Sequence, residues 1–269
     1  MNRSVKRSMG QKKRGRLGAA LLVLLCCLLT ACRTSQPAAE TAADGAVAPS
    51  VDVLQFREPE ADALVAVFET SAGEFSAVLY PQAAPQAVQN FVTLARQGAY
   101  NGLDFHRVIA DFIIQSGDTD GNGGQSIWGN PFAAEVSDAV HHYTGALAMA
   151  GGSANRSQFF VVNCQTDSVP DVLQEQMRQL GWEEDVITAY AEVGGAPYLD
   201  MHYTVFGQVF YGMDTVRAVG GTAGQTDTPA DPALLQTVTI TTYADWCSSH
   251  PEVQPAFYTP AAPADDSAD

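Results

Sequence analysis

Lysine is almost missing from this chain of 269 residues, and its three lysines all lie within the first 13 positions. Basic residues number 14 against 30 acidic ones, which gives a formal net charge of −16. A strongly acidic surface repels phosphate backbones and anionic lipid headgroups. The composition therefore argues against a nucleic-acid partner and against electrostatic docking on a membrane.

Cysteine is also scarce, and the five cysteines show no Cys-x-x-Cys spacing of the kind that zinc sites use. His141 and His142 are adjacent, and adjacent residues on a strand point to opposite faces, so this pair would chelate a metal poorly. We therefore expect no metal and no cofactor. The sequence leaves open whether Cys164 and Cys247 form a disulfide or stay as free thiols.

The N-terminus carries the pattern of an export signal. Its first 16 residues hold seven basic groups and no acid, and a 13-residue apolar run, Leu17–Leu29, follows them. A membrane-spanning helix needs about 20 apolar residues, so this shorter run is typical of a signal peptide.

The end of that run resembles the bacterial lipoprotein box. Leu29-Thr30-Ala31-Cys32 places small residues before a cysteine, which in lipoproteins is acylated and becomes the new N-terminus. The resemblance implies a signal peptide over 1–31, palmitate on Cys32, and a chain exported and lipid-anchored to the outer face of the bacterial cell membrane. Removal of 1–31 would take away seven positive charges, so the net charge would change from −16 to −23. A plain signal peptide or an uncleaved anchor is the alternative.

Composition divides the rest of the sequence into three parts. Residues 32–62 are rich in Ala, Pro, Thr, Ser and acids and have few large apolar side chains, which predicts a disordered tether. Residues 248–269 predict a disordered acidic tail for the same reason. Residues 63–247 are long enough for one domain with its own core, and we expect a monomer.

Short strand-like runs predominate within the domain. Two runs that start at Leu64 and Glu74 are separated by a turn, which predicts a hairpin. Further strands are predicted over 105–109, 112–116, 145–150, 157–163, 204–210 and 236–243. Helical spacing is limited to a segment that begins at Pro85, a second near Met213, and an insertion at about 168–194, interpreted as a helical hairpin. The hairpin is either packed structure, which we favour, or a site for a partner. Many short strands with few helices favour a sandwich or a closed barrel.

Separated motifs carry the functional signal. Phe105-His-Arg-Val-Ile leads to Phe112-Ile-Ile-Gln-Ser-Gly-Asp, and Ser157-Gln-Phe-Phe and Tyr198-Leu-Asp follow them along the chain. Together they resemble the cyclophilins, a family of peptidyl-prolyl cis-trans isomerases. The resemblance covers residues 64–243 apart from the insertion. It implies a mainly β fold: a closed eight-stranded antiparallel barrel capped by two helices, here with the inserted helical hairpin.

Arg107 is the residue of these motifs that most needs an explanation. Its guanidinium is always charged, so it either forms a structural ion pair or faces a ligand. Rotation of an X-Pro bond breaks amide resonance over a barrier of about 18–20 kcal/mol, and the twisted nitrogen then accepts hydrogen bonds. A fixed cation beside an apolar proline pocket can stabilise that twisted amide without proton transfer.

The resemblance also assigns site residues. Arg107 corresponds to the catalytic arginine, and Gln115 corresponds to the glutamine that binds the substrate backbone. The other substrate-binding residues that it implies are Phe112, Ile113, Phe160 and Leu199 for the proline pocket, Ala150 and Gly151 for the edge that pairs with the peptide, Gln158 in the groove, and His106, Tyr198 and Tyr203 nearby. Three of these depart from the usual pattern: Ile113 replaces methionine, Tyr198 replaces tryptophan, and Tyr203 replaces histidine.

Two functions fit these motifs. The first is an isomerase that accelerates X-Pro rotation in proline-containing segments of unfolded or exported proteins. The second is a binding module or chaperone that holds such segments in the same groove, with catalysis incidental. The intact set of Arg107, Phe112, Gln115 and Phe160 favours the enzyme.

We predict that Cys32→Ser blocks lipidation. A single acyl chain binds a membrane weakly, so stable attachment needs two or more chains at this residue. In cells fed a palmitate analogue, the wild-type chain should carry the label, and the variant should accumulate as an unlabelled precursor. Processing and labelling of the variant at the wild-type level would contradict the lipoprotein assignment.

Overall fold

The computed structural model describes residues 53–255, 257 and 258. The predicted signal peptide, Cys32 and most of the predicted tether lie outside these residues, as does the end of the predicted tail. Among the residues that are described, no helix has the length and apolar character needed to cross a membrane.

In this described part of the chain, nine antiparallel strands form one curled sheet, so the prediction of a mainly β fold is confirmed. The strands are β1 Leu64–Thr70, β2 Gly73–Leu79, β3 Leu103–Asp104, β4 Arg107–Ile109, β5 Ile113–Ser116, β6 Ala146–Met149, β7 Phe159–Val162, β8 Val205–Tyr211 and β9 Leu234–Thr242. Their order across the sheet is β3-β9-β1-β2-β8-β6-β7-β5-β4.

The predicted closed barrel of eight strands is not confirmed, because the described residues form a half-barrel of nine strands with β3 and β4 at its edges. The strand predicted over 105–109 is shorter than expected, because β4 begins at Arg107 and Phe105 and His106 separate it from β3. The N–H of Phe105 donates to the carbonyl of Ala233 at 3.0 Å. The N–H of Val108 donates to the carbonyl of Asp227 at 2.8 Å. Phe105 and Val108 therefore bond to different segments, and one strand does not run through both.

Alternation along the strands builds apolar layers on opposite faces of the sheet. We call the first the core layer, which includes Phe68, Phe75, Ile114, Phe159 and Phe206, all fully buried. We call the second the site layer, which uses the alternate residues of the same strands, such as Ile113, Phe160 and Val205. The predicted site residues of β5 and β7 thus share one face.

Helices pack against the core layer and also make up the insertion. They are α1 Pro85–Arg96, α2 Asp171–Gln179, α3 Glu184–Val193, α4 Met213–Gly220 and α5 Tyr243–Ser249, with 3₁₀ turns at Leu54–Phe56 and Pro197–Leu199. α1 begins with a proline. Proline has no N–H, but the N–H groups of the first turn have no partner within the helix, so no helical hydrogen bond is lost. Phe91 of α1 and Val216 and Val219 of α4 are buried in the core layer, so these two helices pack against the sheet.

The inserted segment forms a helical hairpin from α2 and α3. Gly181 turns the chain between them with a φ of 81°, a left-handed conformation that glycine adopts without strain. Met177, Ile187 and Tyr190 are buried against Tyr143, which lies in the loop before β6. The hairpin is therefore joined to the domain by an apolar cluster of its own.

The structure differs from the predicted tether and tail close to the domain. Val53 is buried in the cluster that holds the hairpin. At the other end, Phe257 stacks on Phe210 with ring centroids 5.9 Å apart, and Tyr258 packs on Phe56 with centroids 4.5 Å apart. Isolated apolar side chains in otherwise polar segments pack these residues against the domain.

Both cysteines of the domain, Cys164 and Cys247, are free thiols. Cys164 is buried in the site layer, and burial raises the pKa of its thiol to about 11. A thiol that stays protonated at neutral pH is a poor nucleophile, so Cys164 acts as an apolar packing residue.

We predict that Ile187→Ala lowers the free energy of unfolding by about 2–5 kcal/mol, because Ile187 is fully buried and its truncation leaves a cavity. Leu180→Ala on the same hairpin is the matched control. Leu180 is 78% exposed, so its truncation should change the free energy of unfolding by less than about 0.5 kcal/mol. Urea unfolding measures both variants. Equal stability of the two would show that the hairpin does not pack on the domain.

Candidate active site

Strand register places Arg107, Gln115 and Phe160 side by side. Arg107 pairs with Gln115 across β4 and β5, and Gln115 pairs with Phe160 across β5 and β7. Phe160 in turn pairs with Ala148 on β6. Paired residues of neighbouring strands point to the same face, so this row lies on the face of the site layer.

A cavity of about 150 Å³ lies on this face, and we call it the proline cavity after the pocket that the resemblance implies for these residues. Its lining is Arg107, Phe112, Ile113, Gln115, Ala150, Phe160, Leu199 and Tyr203. All eight lining residues belong to the predicted site, and they come from separate segments of the chain. Most are apolar, so the charge of Arg107 lies beside apolar side chains in this cavity.

Arg107 is held by two side chains. Its Nε and Nη2 donate to Asp227 Oδ2 at 3.2 and 3.1 Å, and its Nη1 donates to Gln115 Oε1 at 3.4 Å. A guanidinium has five N–H donors, so Nη1 and Nη2 each keep one N–H that these bonds do not use. Because 39% of the Arg107 side chain is exposed, the remaining donors are accessible to a bound ligand.

Gln115 is fixed from its other side by Gln158. Its Nε2 donates to Gln158 Oε1 at 2.7 Å. Gln158, Ala150 and Gly151 line a second cavity of about 110 Å³, and Ala150 lines the proline cavity as well. The two cavities therefore adjoin along the sheet face. A Cβ on Gly151 would lie 2.5 Å from the carbonyl oxygen of Ala154, so only glycine fits at this position.

Two predicted site residues lie outside both cavities. His106 is half-buried and lines neither cavity. Tyr198 is 63% exposed, and its ring centroid lies 6.0 Å from that of Phe112. The structure therefore does not bring His106 into the site, and it leaves Tyr198 on the border.

Comparisons with known proteins show which family the chain belongs to. A family model described as cyclophilin-type peptidyl-prolyl cis-trans isomerase matches residues 65–244. The chain belongs to the cyclophilin family. It is 43% identical over 179 residues to a relative from Staphylococcus saprophyticus named for peptidyl-prolyl cis-trans isomerase activity, covering 65% of this chain and 90% of the relative. A relative of the same name from Staphylococcus aureus strain USA300 is 39% identical over 189 residues, covering 68% and 95%.

Solved structures agree with this assignment. A cyclophilin-type peptidyl-prolyl cis-trans isomerase from Cryptosporidium parvum has a TM-score of 0.52 and 25% identity, and the match covers 66% of this chain and 99% of that one. A second structure of that protein gives a TM-score of 0.53. The chain is thus a cyclophilin-type peptidyl-prolyl cis-trans isomerase, as its motifs predict.

In this cyclophilin, a buried aspartate and two histidines form a hydrogen-bonded group that contacts Phe160. His142 stacks on Phe160 with ring centroids 6.1 Å apart, and its Nδ1 lies 2.6 Å from Asp200 Oδ1. His141 Nδ1 lies 2.8 Å from Asp200 Oδ2. The hydroxyl of Tyr190 donates to that same oxygen at 2.8 Å. This network joins the wall of the proline cavity to α3.

Asp200 remains ionised although it is buried. Burial raises its pKa, but hydrogen bonds from His141 and His142 outweigh burial, and the pKa is lowered to about 2. An ionised carboxylate can only accept, so each Nδ1 that faces it carries the hydrogen and donates a hydrogen bond to Asp200. The two histidines lie in a loop and not in a strand, so the alternation of a strand does not apply to them and both Nδ1 atoms face Asp200. In the described part of the chain, no group of three or more His, Cys, Asp or Glu side chains is arranged to hold a metal ion.

Sequence reasoning missed Asp227 and Asp200. Asp227 lies 120 positions after Arg107, in a turn-rich segment where nothing marks which residue meets the guanidinium. Asp200 had a local signal, because it directly follows Leu199 of the predicted pocket. Its histidine partners, however, lie 58 and 59 positions away, and only the fold brings them together.

We predict that Asp200 stabilises the fold at neutral pH and less in acid. Its pKa is about 2 in the folded chain against an ordinary value of 3.8, so the stabilisation is complete above about pH 4 and is lost as the pH falls toward 2. The difference corresponds to roughly 2 kcal/mol. Urea unfolding between about pH 2 and 7 should show this loss in the wild type and not in Asp200→Asn.

Asp214→Asn is the matched control for that experiment. The Asp214 side chain on α4 is fully exposed, so its substitution should leave the pH dependence of unfolding unchanged. A wild-type pH profile in Asp200→Asn would contradict the role given to the buried carboxylate.

Proposed function

We propose that this cyclophilin accelerates X-Pro rotation in exported proteins, with Arg107 stabilising the twisted amide. The observation that carries the proposal is the position of Arg107 at the edge of the proline cavity, with two N–H groups left for a ligand. A preorganised cation of this kind accelerates rotation only if it binds the transition state more strongly than the ground state.

The proline ring of the client would lie against Phe112, Ile113 and Phe160. Unaided X-Pro rotation takes tens to hundreds of seconds, because it breaks amide resonance. In the twisted state the nitrogen regains its lone pair, and an N–H of Arg107 donates to it. No covalent bond forms and no proton changes place, so the mechanism needs no general base. This fits the position of His106 outside the cavity.

Gln115 is proposed to hold the substrate backbone. Its side chain is already fixed between Arg107 and Gln158, so substrate binding costs little rotamer freedom. The Cryptosporidium parvum relative was crystallised in the presence of the dipeptide Ala-Pro. We propose the same class of ligand, a proline-containing peptide, for the proline cavity of this chain.

The proposed place of action is outside the cytoplasmic membrane, with lipid on Cys32 as the anchor. The basic head, the short apolar run and the small residues before Cys32 support this part of the proposal. Exported proteins arrive there unfolded, so their X-Pro bonds are accessible to the enzyme. The acidic composition supports lipid rather than a basic patch as the means of attachment.

We predict that Arg107→Ala lowers kcat/KM on a proline tetrapeptide about ten- to a hundredfold. A hydrogen bond to a charged group contributes about 1.5–3 kcal/mol, and that amount of lost transition-state stabilisation corresponds to this range of rates. The variant should still fold, because the exposed ion pair with Asp227 contributes only about 0–1 kcal/mol.

Arg217→Ala is the control for a general effect of removing an arginine. Arg217 lies on α4, is about half exposed, and pairs with Asp214 away from the proline cavity. Its loss should leave turnover unchanged. Near wild-type turnover in Arg107→Ala, with the fold intact, would end the proposed mechanism.

A further inference from the structure

A cavity of about 300 Å³ lies between the helical hairpin and the site face of the sheet. We call it the hairpin cavity. Leu180, Trp182 and Val186 line it from the hairpin, and Val140 and Val205 line it from the domain. It has about twice the volume of the proline cavity, and its lining is mainly apolar.

The hairpin cavity adjoins the proline cavity. Tyr203 lines both of them. The turn before Tyr203 also connects them, because Leu199 lines the proline cavity while Asp200 and Met201 line the hairpin cavity. A polypeptide whose proline occupies the first cavity can therefore place a nearby side chain in the second.

The rim of the hairpin cavity is exposed apolar surface. Val136 is 42% exposed, Leu180 is 78% exposed and Met201 is 61% exposed. These three side chains come from separate segments and line the same cavity. Scattered apolar residues on a surface are ordinary, whereas a cluster around a cavity marks a binding site.

Met201 is also held in an unfavourable conformation. Its φ is 65°, in the left-handed region that residues with a Cβ rarely adopt. A glycine would fit this turn more easily, yet the position carries a large apolar side chain at the rim of the cavity. Strain of this kind, retained beside a pocket, is typical of a functional site.

His141 and His142 each have a buried nitrogen atom, Nε2, that has no hydrogen-bond partner. Both residues line the cavity, and only 1% of the His142 side chain is exposed. Each Nδ1 donates to Asp200, so in a neutral ring Nε2 is an acceptor. A buried acceptor without a partner favours a ligand that brings a donor.

We propose that the hairpin cavity binds a tyrosine or tryptophan side chain of the client segment whose proline occupies the proline cavity. The apolar lining would take the ring, and a histidine Nε2 would accept its hydroxyl or indole N–H. Asp138 and Glu183 also line the cavity and would repel an acidic side chain. The inference rests on the proposed function, and it adds selection of clients by a residue near the proline.

The test uses peptides with one proline and one variable residue, which is Tyr, Trp, Phe, Leu or Ser. The variable residue is placed at each position up to about four residues on either side, the distance that an extended chain needs to reach past the first cavity. At one of these positions we expect kcat/KM for Tyr and Trp to exceed that for Ser about tenfold, through a lower KM. Tyr should also exceed Phe, because only Tyr brings a donor.

The double variant Leu180→Ser with Met201→Gly removes two apolar side chains of the rim and no residue of the proline cavity. Both side chains are exposed, so the variant should fold and turn over a short tetrapeptide at the wild-type rate. Its preference for Tyr over Ser should disappear. Val172→Ser is the matched control: Val172 is 66% exposed on the same hairpin, does not line the cavity, and should keep the preference.

Equal kcat/KM for the Tyr, Trp, Phe, Leu and Ser peptides in the wild type would overturn the proposal. A preference that survives in the double variant would overturn it as well. Rates no higher for Tyr than for Phe would overturn the role given to the histidine acceptors. A concentration-dependent dimer that the double variant loses would assign the cavity to a second copy of the chain instead.

The outcomes also separate this inference from the proposed function. Tetrapeptide turnover that depends on Arg107, without any preference among the longer peptides, would reject only the hairpin cavity as a client site. Turnover that does not depend on Arg107 would reject the proposed mechanism, whatever the longer peptides show.

Discussion

Register between antiparallel strands is the constraint on which the site depends. Arg107, Gln115 and Phe160 meet because each is paired with the next across β4, β5 and β7. A slip of one residue would turn Arg107 toward the core layer, where a charged group without a partner is costly, and would remove Phe160 from the proline cavity. The same alternation buries Ile114 and Phe159 in the core layer, so one pattern enforces both the packing and the geometry of the site.

A structural ion pair and a ligand-facing position were alternatives for Arg107 at the level of sequence. The structure contains the ion pair, and it leaves two N–H groups of the same guanidinium unused by it. Asp227 is 59% exposed, so the pair adds little to stability. Its effect is on orientation: Asp227 and Gln115 hold a long, flexible side chain in one position before any substrate arrives. Preorganisation of this kind is what electrostatic stabilisation of a twisted amide requires.

Asp200 extends the site beyond the proline cavity. One carboxylate accepts hydrogen bonds from two loop histidines and from Tyr190 of α3, so the inserted hairpin is connected to the ring of His142 that stacks on Phe160. The sequence favours packed structure over a partner site for the insertion, and its buried face has that character. Its open side, however, forms one wall of a second cavity that shares Tyr203 with the first.

The sequence by itself determined the mainly β class, the helices that begin at Pro85 and near Met213, the helical insertion, and the eight residues that the structure gathers around the proline cavity. The class, the helices and the insertion follow from local signals, because alternation, helical spacing and turn residues each act within a few positions of the chain. The site residues follow instead from the resemblance of separate motifs to the cyclophilins. Only the tertiary structure decided that the strand predicted over 105–109 begins at Arg107, that Asp227 holds Arg107, that two histidines share Asp200, and that Val53 and Tyr258 are anchored. Each of these is a contact between segments far apart in sequence, and its geometry is set by how the sheet curls and how the hairpin packs, which no local preference encodes.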